Sequence, residues 1–101
     1  MSDEKALKSV EHEIAGEKAG AIARSGRKLR VALDNLRRFD ERAGSHTRLA
    51  DPVARARLVE AAADAFWSYV VQREAMGLVD SDYVRREYGV PHEVWRRGSP
   101  R

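Results

Sequence analysis

From Asp3 to Ala43 the apolar residues keep to one side of a 3.6-residue period for about eleven turns. The stripe begins Leu7, Val10, Ile14, Ala21 and Ile22, and continues Leu29, Ala32, Leu33, Leu36 and Phe39. No other feature constrains the fold as much. A helix of about 40 residues spans roughly 60 Å, so a chain of 101 residues must organise itself along it. Glu4 with Lys8 and Asp34 with Arg38 have the favoured i,i+4 order for ion pairs. Gly16, Gly20 and Gly26 each cost about 1 kcal/mol relative to alanine inside a helix. They predict a weak point, a bend or break, at Arg24-Ser25-Gly26.

Gly44, Ser45, His46 and Thr47 read as a loop. Asp51 followed by Pro52 is a helix start, an N-cap acid before a residue whose missing N–H costs nothing at the first helical position. The second helix, over about 51–76, stops at Gly77, with Leu78 placed for a Schellman contact. Leu58, Val59, Ala62, Phe66, Tyr69, Val70 and Met76 form its main apolar face, and Trp67 and Val71 point well away from it. A helix apolar over so much of its circumference is buried on more than one side. A third helix is expected over about 81–88, capped by Asp80, with Val79 and Val84 as a hydrophobic staple and Gly89 and Pro91 as its end. A last turn is expected over about 91–96, and Gly98 to Arg101 should fray.

The fold class is therefore all-α, one domain built as a long helical hairpin with short C-terminal helices. The first helix outruns the second by about 15 residues, leaving the stripe around Leu7, Val10 and Ile14 without an intrachain partner. Either the C-terminal segment folds back over it or a second copy covers it, giving a dimeric four-helix bundle. The homodimer is the favoured expectation. Gly16, Ala19, Gly20 and Ala23, with Ala15, make a small-residue surface that permits close helix contact; with Trp67 and Val71 they are the candidate self-association residues.

The net charge is +3 and the pI about 9.6, which permits but does not demand contact with anionic partners. Arg24, Arg27, Lys28 and Arg30 form a run with no acid between Lys18 and Asp34. With Arg96 and Arg97 they are candidates for an anion or nucleic-acid contact. No aromatic is interleaved, so the stacking of a single-strand binder is missing. The segment Asp82–Arg97 has the outline of a helix-turn-helix, but Arg85 stands where that motif wants a small buried residue, and Gly98 and Pro100 cut the second helix short. Arg73 shares the aromatic face of the second helix. It needs a carboxylate such as Glu87 or an acid of the first helix, an aromatic face, or an anionic ligand.

Catalytic and metal chemistry finds no support. There are no cysteines, hence no disulfide, thiolate nucleophile or cysteine-ligated metal. His12-Glu13 and His92-Glu93 begin like HExxH, but Gly16 and Arg96 stand where the second histidine belongs. No serine lies in a nucleophile elbow, and no glycine-rich phosphate loop appears. No catalytic residue, cofactor or metal site is assigned. No secretory signal or membrane-length apolar run is seen, and a cytoplasmic location is expected.

The segments Glu13–Ala19, Phe66–Leu78 and Arg86–Pro91 together resemble a small family of uncharacterised bacterial helical proteins of about this length. The resemblance implies a compact helical domain, bacterial and cytoplasmic, and carries no activity. The expected function is a non-enzymatic protein-interaction or structural module acting as a homo-oligomer. The alternative is a DNA-associated protein using the C-terminal corner and the basic residues.

Overall fold

The computed structural model describes the backbone of residues 2–45 and 51–97. They form four α-helices and no strand: α1 Ser2–Ser45, α2 Pro52–Ala75, α3 Ser81–Tyr88 and α4 His92–Arg96. Gly44 and Ser45 extend α1 rather than beginning a loop, and His46 and Thr47 lie outside the described residues, as does the tail from Gly98 to Arg101.

α1 runs unbroken through Gly26. The reason is packing. A Cβ at Gly26 would stand 3.0 Å from the Tyr88 hydroxyl and 3.3 Å from the Tyr69 ring. Glycine here lets two aromatic rings lie against the helix backbone, and the helix continues where propensity alone suggests a break. The side chain of Glu4 lies outside the described residues. Asp34 pairs with Arg37 at 2.8 Å, three residues on, rather than with Arg38.

α2 begins as its sequence predicts. The Asp51 carboxylate accepts from the amides of Val53 and Ala54, which satisfies two of the orphan donors of the first turn. It ends in a Schellman motif: the Leu78 amide donates to Arg73 O and the Gly77 amide to Glu74 O. Gly77 takes φ +83°, a conformation in which a Cβ would be strained. α3 ends the same way, with Gly89 at φ +61° and Val90 N donating to Arg85 O. Two expectations at the start of α3 are corrected. Asp80 makes no side-chain cap bond, because its carboxylate is held by Arg73. Val79 is 87% exposed, so no staple with Val84 forms.

The core lies along the hairpin. Leu29, Leu33 and Leu36 of α1 meet Val59, Ala62, Phe66 and Val70 of α2, and Val84, Val90 and Val94 close the cluster. Each large side chain removed from water here contributes about 1.5–3 kcal/mol. α2 is the central element, packed between α1 and α4. α4 covers Trp67, whose indole N–H donates to Trp95 O at 3.1 Å and Arg97 O at 3.0 Å. Arg55 of α2 adds a second tie, bridging Asp40 of α1 and Glu93 of α4. The guanidinium holds both carboxyl groups below their ordinary values. With its C-terminal segment spent on α2, the chain leaves one end of α1 bare. The molecule is 71 Å long and 24 × 21 Å across. α2, at 24 residues, accounts for roughly 36 Å of that length.

Candidate interaction surface

The N-terminal part of α1 projects past the hairpin as an arm. Leu7, Val10 and Ile14 are 63%, 50% and 46% exposed. At 100° per residue they share one flank of α1, and Ala21 continues it. Acids predominate beside the stripe: Glu11, Glu13 and Glu17 are exposed, as are Lys8 and Lys18.

The same flank, followed toward the hairpin, opens into a groove between α1 and α2. Val31, Ala32 and Asn35 of α1 face Leu58 and Ala61 of α2 across it, and Arg24, Arg27 and Lys28 form its α1 rim. The groove runs on past Ser25, Ala65 and Ser68 to Gln72, whose buried Oε1 accepts no hydrogen bond among the described residues. Val31 is 58% exposed. No residue of α3 or α4 lines either stretch, because both short helices pack elsewhere on the hairpin.

The structure sorts the sequence-derived candidates. Arg24, Arg27 and Lys28 come together on the groove rim. Arg30 leaves them, its guanidinium lying 5.2 Å from the Tyr88 ring centre. Arg96 and Arg97 are exposed at the end of α4 and do not line the groove, so the six basic residues do not form one patch. Gly16, Ala19 and Ala23 lie on the flank of α1 away from the Leu7 stripe. Gly20 borders the stripe beside Arg24, whose guanidinium lies 3.3 Å from a Cβ built there, and no atom comes within 4 Å of a Cβ built at Gly16. Trp67 is covered by α4, whereas Val71 stays 54% exposed. Sequence reasoning missed the groove itself, because it exists only where two helices meet. The acids that accompany the arm's stripe were the available signal for the charge contrast.

The remaining polar clusters serve the fold. Arg73 binds Asp80 through Nε at 2.9 Å and through a second nitrogen, and donates to Tyr69 Oη at 3.3 Å. Its partner is thus Asp80 rather than Glu87 or an acid of α1, and Arg73 holds the Asp80 carboxyl below its usual value. Burial is the largest cause of the raised Tyr69 hydroxyl pKa, followed by its contact with Tyr88. Arg85, standing where a helix-turn-helix wants a small buried residue, is half-buried, paired with Asp82 and stacked 4.2 Å over Trp95. α4 has five residues, and its Val94 is fully buried, which leaves little of it to enter a DNA groove. Among the described residues no cluster of three or more metal-ligating side chains occurs, and no helix is long and apolar enough to cross a membrane. No family model, curated protein or solved structure matches the chain.

Proposed function

We propose that this chain is a non-enzymatic interaction or structural module that works as a homo-oligomer. The observation that carries this reading is the bare arm of α1. Leu7, Val10 and Ile14 stand exposed on the N-terminal part of α1, away from the hairpin core. Most of a helix's stability comes from packing of its apolar face, which the arm lacks, and Gly16 and Gly20 weaken it further. Such a segment gains most from a covering surface. Small domains also bury a modest share of their surface alone, so association adds what one core lacks.

Light scattering at tens of micromolar tests the reading. The expected mass is twice the 11.4 kDa of one chain. Leu7→Asp combined with Ile14→Asp is expected to return the single-chain mass while the hairpin keeps its cooperative melt. A single-chain mass for the unaltered protein across that range contradicts the reading.

A further inference from the structure

We infer that the occupant of the α1–α2 groove is the N-terminal arm of a second copy, lying antiparallel, so that two copies exchange arms about a two-fold axis. The inference rests on the homo-oligomer reading and adds the surface, orientation and register.

Three observations converge. The first is spacing. Leu7, Val10, Ile14 and Glu17 step three and four residues apart, and the same step continues through Ala21, Arg24, Lys28 and Val31. That is the a/d rhythm of a helix–helix seam, and it joins the bare arm to the groove along one flank. The second is charge. The seam is uneven in charge along its length: Glu11, Glu13 and Glu17 outnumber Lys8 and Lys18 on the arm, whereas Arg24, Arg27 and Lys28 form the groove rim and Asp64 is the one acid lining the groove. None of the three glutamates or the three rim cations forms an ion pair among the described residues. A parallel pair would set acids against acids and bases against bases, which destabilises a helix pair. An antiparallel pair sets each arm on the other's rim. The third is apolar fit. Antiparallel packing places a positions opposite d positions, so Leu7 falls beside the partner's Val31. The stem of the partner's Lys28 then covers Val10. Glu13 reaches the partner's Arg27 and Glu17 the partner's Arg24. Because one patch meets the same patch on the other copy, the contact closes at two chains.

Charge reversal tests this. In Glu13→Arg/Glu17→Arg the arm matches the rim in sign, and in Arg24→Glu/Arg27→Glu the rim matches the arm. Each variant alone is expected to self-associate at least about tenfold more weakly than the unaltered chain. Mixed one to one, they are expected to recover a two-chain species containing one copy of each, because every arm again meets a rim of opposite sign. All four positions are exposed on a helix, and unchanged circular dichroism and melting of each variant's hairpin verify the fold. Since the chain has no cysteine, orientation is read separately by introduced thiols. Leu7→Cys/Val31→Cys should form an interchain disulfide, which requires Cα atoms within about 7 Å, and Leu7→Cys alone should not. Variants that still pair with themselves, a mixture that stays single-chain, or ready self-linking of Leu7→Cys would overturn the exchange while leaving a homo-oligomer standing. A single-chain unaltered protein would overturn both.

Discussion

At Gly16 an added methyl group meets no atom within 4 Å, whereas at Gly26 it meets the Tyr88 hydroxyl at 3.0 Å and the Tyr69 ring at 3.3 Å. Intrinsic propensity treats the two positions alike, and packing separates them. Gly16→Ala is expected to stabilise α1 by up to about 1 kcal/mol. Gly26→Leu drives a larger side chain into two rings, one of them buried, and is expected to cost about 1–3 kcal/mol. Thermal melts of the two variants should therefore move in opposite directions. Trp67 illustrates a different limit. Periodicity places it off the main apolar face but does not say what covers it. The structure answers with the carbonyls of Trp95 and Arg97. Trp67→Phe keeps most of the apolar area and removes the donor, for an expected loss of about 1–2 kcal/mol.

At the scale of elements, the sequence is most legible where the chemistry is local. Asp51-Pro52 starts α2, and Gly77 and Gly89 end α2 and α3, because caps depend on a few consecutive residues. It misleads where a distant partner competes. Asp80 has the identity and position of an N-cap, yet Arg73, seven residues earlier, takes its carboxylate. Val79 has the spacing of a staple and remains in solvent. Arg55 binds acids from two other helices, and no spacing rule joins residues 15 and 38 positions away. These pairs give the fold a pH dependence whose sign is fixed. Asp40, Asp80 and Glu93 all titrate below their ordinary values because an arginine holds each one charged. Their contribution is complete above about pH 4, the unfolded range, and is lost as pH falls through the lower folded values. The melting temperature should be flat near neutrality and fall below about pH 4. Asp80→Asn should lower it at pH 7 and flatten its fall in acid. Equal slopes for the two proteins would show that the Arg73–Asp80 pair does not contribute.

For the whole molecule, the all-α hairpin and the unequal lengths of its two long helices were readable from the stripe of the first and the caps and apolar face of the second. The groove was not, since its walls come from α1 and α2 together, and the small residues at Gly16, Ala19 and Ala23 drew attention to another flank. Length and charge set the arm apart: an α1 of 44 residues outreaches an α2 of 24, and five acids to three lysines over residues 3–18 give way to four basic residues and no acid over 19–33. Association through such a division should weaken as salt rises, since exposed charges are screened beyond roughly 10 Å at 0.1 M. The central claim is that a second copy covers the arm, and amide hydrogen exchange over residues 6–17, followed as protein concentration is raised, tests it most directly. Slow-exchanging core amides of α2 serve as the internal reference. The account predicts arm amides that exchange quickly in dilute solution and become protected in step with the two-chain species. Arm amides that exchange at the same rate at every concentration would contradict it.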